Sequence, residues 1–161
     1  MNVFDKITGA KHVVAESSRL KATTAGHIYD LEMIADTDNG TIVAIGAHVE
    51  GQVFKAKAYA AGDKPYLVLT PALAYNGRKA QSDEKYFYNA EGEIARAYEL
   101  NVDDIYTLSE DAFDGDPAVG KFVDSEYTVA GSAGSTGFVG EIIEEVNYTN
   151  GTSYRVIVRK I

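Results

Sequence analysis

Alternation with a period of two recurs along this chain in short runs, and no stretch carries the 3.6-residue period of a long amphipathic helix. Between Ile28 and Ile34, Tyr29, Leu31 and Met33 share one face while Ile28, Asp30, Glu32 and Ile34 share the other. Successive side chains of a strand point to opposite faces, so this is a half-buried strand. Phe54, Ala56 and Ala58 oppose Lys55 and Lys57 in the same way, and Tyr154, Val156 and Val158 oppose Arg155, Ile157 and Arg159. Tyr66-Leu67-Val68-Leu69-Thr70 is an unbroken apolar run of strand length, as expected of a strand buried on both faces, and Pro71 ends it because proline cannot donate to a ladder.

Turn chemistry separates these runs. Asn39-Gly40 predicts a hairpin joining 27–34 to Thr41–Ile45, since both residues tolerate positive φ. Asn150-Gly151 predicts a C-terminal hairpin between Phe138–Tyr148 and Ser153–Ile161. Shorter strands are expected at Ile94–Leu100, Ile105–Leu108, Val119–Val123 and Tyr127–Ala130. The sum is an all-β protein, a small barrel or sandwich of short antiparallel strands with an extended N-terminal arm and a C-terminal β-hairpin. Its 161 residues suffice for one self-sufficient core. Residues 1–26 have weak periodicity and read as an arm or a loosely held first strand; 27–161 read as a single β domain.

Composition narrows the chemistry. There is no cysteine, which excludes disulfide scaffolds, thiolate metal sites and cysteine nucleophiles. His12, His27 and His48 share no close spacing and read as surface or strand residues. The formal charge of −9 argues against binding nucleic acid through a basic face. From Gln81 to Tyr127 there are thirteen Asp/Glu against three Lys/Arg, a net of −10 that supplies the whole imbalance. The bland explanation is a solvated acidic face. No apolar run approaches the roughly 20 residues that span a bilayer. The N-terminal sequence has no basic stretch followed by an apolar one, so synthesis in a host cytoplasm is expected.

Three constellations invite catalytic or binding readings. Gly131 to Gly137 spaces its glycines as G-x-x-G-x-x-G, not as a dinucleotide fingerprint, and Ala133-Gly134-Ser135-Thr136-Gly137 misses the first glycine of a nucleophile elbow. Asp111, Asp114 and Asp116 offer oxygen ligands, but their spacing matches no calcium loop. The eleven tyrosines suit half-buried strand positions with hydroxyls at the surface, or protein interfaces. No catalytic residue, cofactor or metal is expected.

The central segment resembles small structural proteins of tailed bacteriophages, the capsid decoration (cement) or head accessory proteins. The residues that carry the likeness run from Lys64 through Pro71, from Tyr86 through Leu100, from Asp104 through Leu108 and from Val119 through Val123. The resemblance covers about 27–125 and implies a β-rich body, an arm that docks on neighbouring capsid subunits, and no catalysis. The expected partners are the major capsid protein and further copies of the chain, with neither nucleic acid nor membrane, and the expected location is the virion. Lys11, Arg19 and Lys21 on the slightly basic arm are the expected capsid-docking residues. The alternative is a glycan- or ligand-binding β module, and a third reading is a small hydrolase with paired acids.

Overall fold

The computed structural model describes residues 12–71, 87–148 and 151–161. Among these residues eleven strands follow one another: β1 (Ala15–Arg19), β2 (Ile28–Glu32), β3 (Ile42–Glu50), β4 (Val53–Ala58), β5 (Tyr66–Val68), β6 (Ile94–Glu99), β7 (Ile105–Ser109), β8 (Phe122–Val123), β9 (Val129–Ala130), β10 (Val139–Tyr148) and β11 (Gly151–Lys160). A helical turn, α1 (Lys21–Ala25), follows β1, and a 3₁₀ turn spans Glu110–Ala112. Strand accounts for 50% and helix for 6%, so the protein is all-β and the excess is well beyond twofold.

Five strands close a barrel in the order β2-β4-β3-β5-β6, and six form a sheet in the order β1-β7-β11-β10-β8-β9. All pairings are antiparallel except β2 with β4. The barrel interior holds Leu31, Met33, Val43, Tyr66 and Val68 with three alanines, Ala56, Ala95 and Ala97. Five strands enclose little space, so large and small side chains alternate to fill it.

A second core lies between barrel and sheet. Ile42 and Leu67 leave the barrel outward and pack with Leu108, Ile142, Val156, Val158 and Phe138 of the sheet side. This explains the unbroken apolar run at β5. Tyr66 and Val68 point into the barrel while Leu67 points into the shared core, and all three are buried. The face assignments for β2, β4 and β11 hold: Leu31 and Met33, Ala56, and Tyr154, Val156 and Val158 are the buried members.

The hairpin expected at Asn39-Gly40 does not form. β2 pairs with β4 and β6, and β3 with β4 and β5, so β2 and β3 are not neighbours. The asparagine is used otherwise. Asn39 Nδ2 donates to the Thr70 carbonyl at 2.8 Å, and its Oδ1 accepts from the Thr70 N–H at 3.0 Å and from Asn89 Nδ2 at 3.1 Å. Gly40 N–H donates to the Val68 carbonyl at 2.7 Å. The pair therefore splices the end of β5 to the chain crossing above it.

The C-terminal hairpin is present, paired from Val139 opposite Lys160 to Tyr148 opposite Gly151. Gly151 has φ +134°, with no atom near where a Cβ would stand. The cost of a side chain there is conformational alone. Gly151→Val is expected to lose roughly 1 kcal/mol or more, visible as a fall of a few degrees in Tm. Gly134→Ala, in open space and without that backbone constraint, is expected to leave Tm unchanged. Equal effects in a thermal melt would contradict this account of the turn.

Of the segment 1–26 read as an arm, residues 12–26 are described. β1 pairs antiparallel with β7 from Ala15 opposite Leu108, and Leu20 and Ala22 are buried behind it. β1 and β9 are the outer strands of the six-stranded sheet.

Candidate functional site

Two of the three expected docking residues lie together where β1 runs into α1. Arg19 and Lys21 are exposed and flank Leu20, which is buried. The reason is local: Leu20 is the one large apolar residue between Glu16 and Gly26, so it anchors the turn and its basic neighbours face outward. Lys21 N–H donates to Asp104 Oδ1 at 3.1 Å, and Asn101 N–H to Asp104 Oδ2 at 2.8 Å. Burial pushes the Asp104 carboxyl above its ordinary value, and the two backbone hydrogen bonds oppose that shift. Gly26, in the left-handed region at φ 74°, closes α1 with its N–H on the Ala22 carbonyl. Lys11 lies outside the described residues.

β1 itself is thin. Glu16, Ser17, Ser18 and Arg19 are all exposed. Its inner edge faces β7, and among the described residues no strand covers its outer edge. Ser109 N–H donates to the Val14 carbonyl at 2.8 Å. Antiparallel alternation then turns the N–H groups of Val14 and Glu16 toward the neighbouring chain and those of Ala15 and Ser17 outward.

Among the described residues the tyrosines are core residues more than surface ones. Tyr66, Tyr88, Tyr106, Tyr127 and Tyr154 are buried, and Tyr29, Tyr59 and Tyr98 are half-buried. The Tyr106 and Tyr127 hydroxyls meet at 3.0 Å, and Tyr127 donates to the Gly40 carbonyl at 2.5 Å. Burial raises both phenols above the ordinary value of 10.0, with the neighbouring phenol raising Tyr127 further. A folded pKa above the unfolded one favours the native state below the unfolded value, and that contribution is lost as pH rises. Stability is therefore expected to hold up to about pH 10 and to fall above it. Denaturant melts should show a shallower alkaline fall for Tyr106→Phe/Tyr127→Phe than for the parent; identical slopes would contradict it.

The acidic loop and the glycine loop, weighed as sites in the sequence and set aside, form no such site among the described residues. Asp114 is held by its backbone, donating to the Tyr127 carbonyl and accepting from Val129 N–H, which shapes the acidic loop. Among the described residues no group of three or more His, Asp or Glu could hold a metal ion. The Gly131–Gly137 loop joins β9 to β10 with no helix after it, and Lys160 Nζ donates to the Ser135 carbonyl at 2.5 Å.

Sequence reasoning missed His12. It is buried, not a surface residue, stacks on Tyr88 with centroids 4.7 Å apart, and sets Nδ1 2.6 Å from Asp38 Oδ1. No local signal links residues 26 apart. His27, by contrast, is largely exposed and bonds Glu99 Oε2 at 2.8 Å, while Lys64 holds Glu99 Oε1 at 2.8 Å. Burial alone would raise the Glu99 carboxyl; the Lys64 and His27 contacts outweigh it and hold it below the ordinary value.

A cleft of about 480 Å³ opens between barrel and sheet, with Ile34, Val43 and Ala58 on one side and Asp111, Glu126 and Tyr127 on the other. No protein-family model matches the chain, and neither a curated protein nor a solved structure matches it.

Proposed function

We propose that this protein is a non-enzymatic virion component that binds and reinforces a tailed-phage capsid lattice through the open edge of β1 and the Arg19/Lys21 corner. The observation that carries the reading is β1: an outer strand exposed from Glu16 to Arg19, whose outer edge no strand covers among the described residues, with the exposed bases Arg19 and Lys21 at its end. An open edge takes up a strand from another chain through main-chain hydrogen bonds, and side chains beside it choose the partner. Arg19 and Lys21 are exposed bases on a body whose acids are concentrated between Gln81 and Tyr127, and they stand beside two of those acids, Asp103 and Asp104. Charge of opposite sign on the two sides would steer the encounter and set its orientation. The phage-like central segment points the same way.

Capsids assembled without the protein are the test. A ligand that binds only the intact lattice stabilises it by mass action, by about 2.7 kcal/mol at a hundredfold excess over Kd. Adding the protein back is expected to raise the temperature at which such particles release their contents. Arg19→Glu/Lys21→Glu is expected to remove the gain at temperatures where the variant itself remains folded. A protein that ignores capsids and binds a defined glycan at micromolar Kd would establish the competing reading instead.

A further inference from the structure

We infer that the cleft between barrel and sheet is a binding site for a small organic cation, an ammonium group carried on an apolar body. Its volume of about 480 Å³ is that of a small-molecule pocket. The barrel side offers open apolar surface: Ile34 stands there 53% exposed, and Ala58 is exposed as well. The sheet side holds two exposed carboxylates, Asp111 and Glu126, and neither makes an ion pair among the described residues. The groups around them are already engaged. Lys57 on the lining is bonded to Asp63 at 3.3 Å. Asn39 spends its amide on Thr70 and Asn89, and the Tyr127 hydroxyl donates to the Gly40 carbonyl. Asp38 accepts from the Val13 N–H through Oδ2, and its Oδ1 is bonded to His12 Nδ1. What the cleft leaves unmatched is negative charge, and a ligand that fits it brings the opposite sign.

The recess that continues the cleft asks for the same chemistry. It is lined by His12 and shares Thr37, Asp38 and Thr41 with the cleft. His12 is 4% exposed, and its Nε2 has no hydrogen-bond partner. A neutral imidazole that donates from Nδ1 to Asp38 leaves Nε2 as an acceptor. Buried polar atoms without partners are uncommon, and a hydroxyl or N–H on the ligand supplies the missing donor. Two carboxylates and an imidazole nitrogen therefore call for positive charge and donors, and the Ile34 side takes the apolar body. Among the described residues no group of three or more His, Asp or Glu could hold a metal ion, so the charge that fits is organic. None of the residues from Ala15 to Lys21 lines the cleft, so this site is independent of lattice binding through β1.

Tyramine is the probe, because it joins an ammonium group to an aromatic body with a hydroxyl at its far end. Titrated into the isotope-labelled full chain, it is expected to shift the amide signals of Ile34, Ala58, Asp111 and Glu126 and the His12 ring signals. The shifts are expected to saturate together, with a Kd of about a millimolar for a ligand this small. Hydroxyphenylpropionate, the same body with its charge reversed, is expected to bind about tenfold more weakly or less still. Asp111→Asn/Glu126→Gln is expected to abolish that preference while the circular dichroism spectrum stays that of the parent. Equal binding of the two probes to the parent would overturn the inference, as would shifts that do not saturate or that leave these signals still. A peptide with one lysine between apolar residues, acetyl-Phe-Lys-Phe-amide, that bound about tenfold more tightly than tyramine would assign the cleft to a basic segment of a partner protein and overturn it too.

Discussion

Gly40→Ala is expected to be among the most damaging single methyl additions to this protein, at about 3 kcal/mol, or roughly 6–12 °C in Tm for a chain of this length. A Cβ at Gly40 would stand 2.5 Å from Leu108 Cδ2, 3.3 Å from Ala15 Cβ and 3.6 Å from Val13 Cγ1. Leu108 is fully buried and has no room to retreat. The backbone at φ +93° adds strain of its own, about 1 kcal/mol for a residue with a Cβ. Gly92→Ala separates the two contributions, because Gly92 has φ +82° and nothing within reach of a Cβ. Its cost is expected to be the strain alone, about 1 kcal/mol. Denaturant titration of both variants checks this, and equal losses would contradict the close approach of β7 to Gly40.

Asn39→Ala comes next, at about 2–3 kcal/mol. The carboxamide satisfies three groups at once: the Thr70 N–H, the Thr70 carbonyl and the Asn89 amide. Asn89 is buried and also donates to the Thr37 carbonyl at 3.0 Å. Removing Asn39 leaves one of its donors stranded in the interior, where an unmade bond costs most. Asn89→Ala/Asn39→Ala is expected to cost less than the sum of the single changes, since each removes what the other needs. Strict additivity in a double-mutant cycle would show that the two amides are not coupled.

These two residues also mark where sequence reading stops. Face assignment is a local property, so the buried members of β2, β4 and β11 are visible from alternation alone. The continuous run at Tyr66–Val68 is legible too, because a strand serving two cores needs apolar residues on both faces. Pairing order is not local. Asn39-Gly40 has the composition of a hairpin tip, and its turn chemistry is real, but the partners that use it lie at Val68, Thr70 and Asn89. No propensity specifies that β2 runs parallel to β4, or that β1 finds β7 about 90 residues away.

The candidate docking corner was half legible. Arg19 and Lys21 stand out as bases in a small polar segment. That Leu20 between them is buried, and so fixes the direction of both, depends on the sheet packed behind it. The cleft and the His12–Asp38 pair beside it left no trace in the sequence, because the residues that form them come from segments far apart along the chain. The tyrosine excess pointed outward on composition, and the tyrosines whose burial is described turn inward in the fold. Tyr127 does so by reaching across the shared core to the Gly40 carbonyl, a contact between residues 87 apart.

The most direct measurement of the proposed role is co-sedimentation with capsids assembled in its absence, for the parent and for Ser17→Pro. Proline at Ser17 removes an outward-facing N–H from the open edge of β1 without taking one from the pairing with β7. The parent is expected to pellet with the capsids at saturating stoichiometry, and Ser17→Pro, melting like the parent, is expected to stay in the supernatant. Undiminished pelleting of Ser17→Pro together with Arg19→Glu/Lys21→Glu would contradict docking through β1, and failure of the parent to pellet would contradict lattice binding itself.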